Sequence, residues 1–176
     1  RLRTRFQQTG GALMAKAVED TLFYRYNRLI SANEVGAEPD HPGLPPDEFH
    51  AEMAARAGAT PGALNATATH DTKRGEDARM RIAAIAELPD VWTGAVAAFE
   101  RELGAAAAGI GAEERWLFYQ GLLGAWEVPA DERLRDRTKT WLEKAAREAK
   151  LHTSWLGPDE DYENGLMAFA DAAVAT

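Results

Sequence analysis

Ala63-Leu64-Asn65-Ala66-Thr67-Ala68-Thr69-His70-Asp71-Thr72-Lys73-Arg74 is the stretch on which the fold turns. Small residues run to Thr69 and end abruptly in polar and ionisable side chains, the pattern of a short strand delivering functional groups at its tip. No other part of the 176 residues reads as a strand. A lone strand cannot form a sheet by itself, so its partners are expected in sequence outside these residues, which also open at Arg1 without a start methionine.

Helical patterns flank this stretch on both sides. Upstream, Leu13, Met14, Ala17, Val18, Leu22, Phe23, Tyr26 and Ile30 recur at three- and four-residue steps, which predicts an amphipathic helix over 12–30. Gly36, Pro39, Pro42, Gly43, Pro45 and Pro46 then exclude a helix or a central strand and predict a loop. A short helix is expected over 47–57, broken by Gly58 and Gly62. Downstream, Ala78, Ile82, Ile85 and Ala86 share a face over 76–87, and Pro89 ends that helix before another over 90–103. Further helices are expected over 113–125, over 129–150 with Pro129, Asp131 and Glu132 suited to its first turn, and over 159–174. Three parts follow: a helical segment with a Pro/Gly-rich loop (1–62), a strand and functional loop (63–74), and a second helical segment (75–176), forming one compact unit.

Composition narrows the function. With 45% hydrophobic and 27% charged residues the chain is a globular piece. The 28 acidic against 20 basic residues give a net charge of -8, which offers phosphates and anionic lipids no attraction, so nucleic acid is not an expected partner. No apolar run is long enough to span a bilayer, and Arg1-Leu2-Arg3-Thr4-Arg5-Phe6 lacks the apolar segment of a signal peptide, so the chain reads as cytoplasmic with no membrane partner. Without cysteine there is no disulfide and no thiolate chemistry.

Taken locally, a His-Asp pair ending a strand is more often a turn, or an N-cap for the next helix, than a catalytic pair. Three segments, however, resemble the maltooligosyltrehalose synthases, retaining glucan-rearranging enzymes of the α-amylase clan. They are Met14-Ala15-Lys16-Ala17-Val18-Glu19-Asp20-Thr21-Leu22-Phe23-Tyr24-Arg25-Tyr26-Asn27, where Ala17 stands for the family's usual glycine; Thr69-His70-Asp71-Thr72-Lys73-Arg74-Gly75-Glu76-Asp77; and Arg147-Glu148-Ala149-Lys150-Leu151-His152-Thr153-Ser154-Trp155. Their order along the chain extends the resemblance across nearly its whole length.

The resemblance implies a mainly α fragment, drawn from the helical region around one strand of a (β/α)8-barrel enzyme. It also implies conversion of the reducing-end α-1,4 linkage of a maltooligosaccharide into an α,α-1,1 linkage by intramolecular transglycosylation, with no metal or organic cofactor. Asp71 is then the catalytic carboxylate that orients substrate hydroxyls and stabilises an oxocarbenium-like transition state, and His70 binds the same sugar. The nucleophile and the acid/base belong to earlier barrel strands, so the expected partners are the substrate and the remainder of the barrel enzyme.

Other residues carry two readings each. Lys73 donates to glucose hydroxyls or is a solvated surface charge, and Arg74 binds sugar or pairs with Glu76 or Asp77. Glu19 hydrogen-bonds sugar or pairs with Lys16 or Arg25; Glu19 and Asp20, as helical neighbours, point about a hundred degrees apart and make a poor catalytic pair. For the aromatics core packing is the commoner reading; Phe23 and Tyr26 share the apolar face, which leaves Tyr24 as the candidate to stack on a sugar ring. His152 and Trp155 suit acceptor-side sugar binding, or end a helix and anchor it. Trp92, Trp116, Trp126 and Trp141 are assigned to the core. Two rival functions stand beside this one: a stand-alone helical carbohydrate-binding or structural module, and another glucanotransferase of the same clan.

Overall fold

Helices sort into those that bury a face and those that do not. In the computed structural model, which describes residues 1–127 and 132–175, seven α-helices are seen among the described residues. They are α1 (Leu2–Val18), α2 (Pro46–Ala59), α3 (Glu76–Ala83), α4 (Pro89–Leu103), α5 (Ala112–Ala125), α6 (Glu132–Ala149) and α7 (Glu160–Ala175). Short 3-10 turns at Leu22–Tyr24, Ile30–Ala32, Ala84–Glu87 and Gly104–Ala107 join them. Pro129 and Asp131 lie outside the described residues, as does the Glu132 side chain, so the expected first turn of α6 is not placed.

The core belongs to α4 through α7. Phe118, Phe169, Leu142, Leu166 and Ala170 are fully buried there, with the Phe118 and Phe169 rings edge to face at 5.0 Å. A second cluster of Ile30, Ile82, Leu117 and Ala145 fastens the 3-10 turn at Ile30 and α3 to α5 and α6. At Gly121 an added Cβ would lie 2.4 Å from the Trp141 ring, so only glycine lets α6 approach α5 here. Trp92 is buried and Trp116 and Trp141 pack half-buried against the core, but Trp126, at the end of α5, is 36% exposed and stands at the rim rather than inside.

Two expectations are corrected. The helix expected over 12–30 begins at Leu2 and ends at Val18, because side-chain amides capture the backbone groups that would continue it. Asn33 Nδ2 donates to Phe23 O (2.9 Å) and Tyr26 O (2.8 Å), Gln120 Nε2 donates to Asn27 O (2.9 Å), and Ile30 N donates to Gln120 Oε1 (3.0 Å). The strand expected within 63–74 is not formed: the chain there is coil and turns, with Leu64 99% exposed, since no second strand among the described residues offers a hydrogen-bonding edge.

Helices α6 and α7 are tied by carboxylates. Arg147 grips Glu163 through Nε (2.8 Å) and Nη2 (2.6 Å), and Asp171 accepts from Arg135 (2.9 Å) and Lys139 (2.8 Å). The Arg147 hydrogen bonds hold the Glu163 carboxyl below its usual range, against a smaller opposing effect of burial. A carboxyl whose folded pKa is depressed stabilises the fold above the unfolded value of about 4.3, and that contribution is lost as pH falls through the lower folded value. We therefore expect Glu163→Gln to lower the melting temperature at pH 6 and to make much less difference at pH 3. An equal difference at both values would show that the ion pair contributes nothing.

Candidate functional site

Thr69–Thr72 closes as a turn on itself: Thr69 N donates to Thr72 Oγ1 (2.6 Å), Thr72 N to Thr69 O (3.3 Å), and Asp71 N to Thr69 Oγ1 (3.3 Å). Threonine hydroxyls suit this role because they reach backbone groups two or three residues away. His70 and Asp71 are exposed on the turn, and their side chains make no hydrogen bond or ion pair among the described residues. Asp71 is thus not a helix cap; Gly75 occupies the N-cap of α3.

The next two residues turn inward. Lys73 Nζ lies 3.8 Å from Glu19 Oε2 and 3.9 Å from Asp20 Oδ1, with all three side chains largely covered. Because α1 stops at Val18, Glu19 and Asp20 both reach this ammonium instead of diverging as helical neighbours. Asp20 also accepts from Lys16 at 2.5 Å, which lowers its carboxyl below the usual range. Arg74 does not pair with Glu76 or Asp77: its Nη1 donates to Ile30 O at 3.0 Å, and burial lowers the guanidinium pKa against the fields of Tyr24 and Glu34. Burial likewise pushes the Tyr24 hydroxyl up. Glu34 accepts from the backbone N–H of Lys73 (2.8 Å) and of Arg74 (3.4 Å). Lys73 and Arg74 form one wall of a cleft of about 710 Å³ between α3, α5 and α6, floored by Trp141; His70 and Asp71 are not in its lining.

His152 and Trp155 lie in a second group, on the α6–α7 connection. His152 Nε2 is 3.5 Å from buried Glu114, and its ring stacks on Tyr162 at 4.7 Å. Trp155 is 53% exposed, donates from Nε1 to Glu148 (3.0 Å), and carries the Arg147 guanidinium over one face at 4.9 Å. Arg25 joins the groups by donating to Ala149 O (2.5 Å) and Lys150 O (3.4 Å) at the negative end of α6, where Lys150 adopts a φ of 54°.

The structure therefore brings Glu19, Tyr24, Lys73 and Arg74 together, leaves His70 and Asp71 exposed on the preceding turn, and sets His152 and Trp155 apart. Sequence reasoning passed over Glu34 and Glu148, whose partners lie 39 and 7 residues away. Among the described residues no group of three or more His, Asp or Glu could hold a metal ion.

Known proteins resemble this chain in sequence and in fold. No family model matches the chain. A Mycobacterium tuberculosis (strain H37Rv) protein assigned as a maltooligosyl trehalose synthase is 42% identical over 172 residues, 97% of this chain and 22% of the relative. A crystal structure of a maltooligosyl trehalose synthase superimposes with a TM-score of 0.89 at 37% identity, covering 96% of this chain and 23% of that one. The maltooligosyltrehalose synthase of Arthrobacter ramosus gives 0.79 at 41% identity over 97% of this chain and 21% of its own. The chain thus spans about a fifth of the length of the relatives it matches.

Proposed function

We propose, from the premise that this chain is homologous to one segment of the maltooligosyl trehalose synthases, that it supplies one catalytic carboxylate and part of the sugar-binding surface of such an enzyme. The whole enzyme turns the reducing-end α-1,4 linkage of a maltooligosaccharide into an α,α-1,1 linkage. The observation that carries this is the exposed Asp71 carboxylate, without a partner among the described residues, on a self-closed turn two residues before the Lys73 that meets Glu19 and Asp20.

In a retaining reaction a nucleophile and an acid/base stand roughly 5 to 5.5 Å apart, and positive charge grows at the anomeric carbon. Asp71 in this reading is neither of those groups; it accepts from ring hydroxyls and opposes the growing charge with a preorganised negative one. His70 binds the same ring. Lys73, charge-balanced by Glu19 and Asp20, keeps donor capacity for a hydroxyl, and Tyr24 and Arg74 shape the wall behind it. His152 and Trp155 receive the acceptor side, with the uncovered indole face stacking on a pyranose. The released glucose is held, turned and attached again through its anomeric hydroxyl, which requires water to be kept out.

Exposed apolar side chains favour a part of a larger enzyme over a stand-alone module. Leu2 (85% exposed), Phe6 (77%) and Leu13 (64%) share one face of α1, and α1 and α2 bury no residue of their own. The reaction also needs two further carboxylates, and the family's earlier barrel strands, outside these residues, are expected to supply them. We expect the purified chain alone to produce no trehalose-capped product from maltopentaose, while the full-length enzyme carrying the segment does so and loses turnover on Asp71→Asn. Turnover by the chain alone would overturn this division of labour.

A further inference from the structure

Asp71 must be held still to act, yet its turn is bonded almost entirely to itself. Upstream, among the described residues, the segment is tied by two arginine side chains, Arg56 donating to Asn65 Oδ1 and Arg79 to Thr67 O. Downstream the attachment is different in kind. The Glu34 carboxylate accepts Lys73 N at Oε1 (2.8 Å) and Arg74 N at Oε2 (3.4 Å), and Oε1 also accepts Val35 N (2.9 Å). Hydrogen bonds from backbone N–H groups to a carboxylate are charge-assisted and stronger than neutral ones. They stand in for the strand ladder that this segment lacks.

Glu34 is itself on a rigid base. Its neighbour Asn33 is 2% exposed and spans Phe23 O and Tyr26 O, and Ile30, four residues earlier, is fully buried and bonded to Gln120. From α5 through Gln120 and the 27–34 segment to Glu34, each link is a buried or half-buried hydrogen bond that ends two residues from Asp71.

We infer that Glu34 is a positioning residue for Asp71, its carboxylate clamping the backbone N–H groups of Lys73 and Arg74 so that the preceding turn presents the Asp71 carboxylate at a fixed place. This rests on the role given to Asp71 above. Glu34 touches neither substrate nor reacting atoms; it acts through the main chain.

The test is made in the full-length enzyme carrying this segment, with maltopentaose as substrate. Glu34→Gln turns one acceptor oxygen into an amide donor facing a backbone N–H, so the clamp opens while side-chain volume is kept. Displacement of a catalytic group by about 1 Å costs about a hundredfold in rate, so kcat falls by about that factor while KM stays near its starting value. Glu34→Asp, which keeps the charge but withdraws it by one methylene, gives the same kcat loss should Glu34→Gln fail to accumulate. Placed on Asp71→Asn, either substitution adds no further loss, because the group it positions is already neutral. Two results overturn the inference alone: kcat unchanged in both Glu34 variants, or losses that multiply in the double variant while KM rises. Near-normal turnover by Asp71→Asn instead removes the reading of Asp71, and the inference with it.

Discussion

Asp71→Asn in the full-length enzyme lowers kcat by on the order of a thousandfold or more, the scale seen when one preorganised electrostatic group is removed from a transition state. That loss corresponds to about 4 kcal/mol of barrier. Asparagine keeps the size and the local turn chemistry but carries no charge, so it still accepts a hydrogen bond from a ground-state hydroxyl while opposing the growing positive charge poorly. KM should therefore move little, the signature of an interaction made chiefly in the transition state. The site makes this a clean experiment. Asp71 is exposed and its carboxylate has no partner among the described residues, so its replacement should change stability by no more than about 0.5 kcal/mol. Steady-state kinetics on maltopentaose with a parallel melting curve separates the two effects. A variant that melts normally and turns over normally would take the catalytic role away from Asp71.

Phe118→Ala should have the largest effect on the fold. Phe118 is fully buried in α5, meets Phe169 of α7 edge to face at 5.0 Å, and lies against Tyr119 at 6.1 Å. Removing such a ring costs about 3 to 5 kcal/mol, part lost transfer free energy and part the cavity left behind. For a chain of this size that lowers the melting temperature by roughly 6 to 20 °C. Circular dichroism melts of the two proteins measure it directly. A loss below about 1 kcal/mol would mean that α5 and α7 do not share the core described above.

Much of the helical framework was legible because it depends on local signals. Apolar spacing and the Pro and Gly breaks between segments placed α2, α3, α4, α5 and α7 within a few residues of their observed bounds. The same rhythm misled over 12–30. Phe23 and Ile30 do turn inward, but through 3-10 turns whose carbonyl and amide are satisfied by Asn33 and Gln120, while Leu13, Met14 and Leu22 of the same rhythm stay exposed. Apolar spacing is compatible with more than one backbone, so over 12–30 it fixed neither the helix nor the burial of every residue in the pattern.

The sequence by itself marked Thr69–Arg74 as the candidate site and, through resemblance, the family whose segment this chain matches. It also determined the mainly helical class, since propensity and apolar spacing act over a few residues. Tertiary structure alone decided that α1 ends at Val18, that Glu19 and Asp20 converge on Lys73, and that Glu34 takes the place of a strand partner. Those outcomes depend on which buried polar group reaches an unpaired N–H or carbonyl across 39 to 93 residues of chain, and no local pattern encodes that meeting.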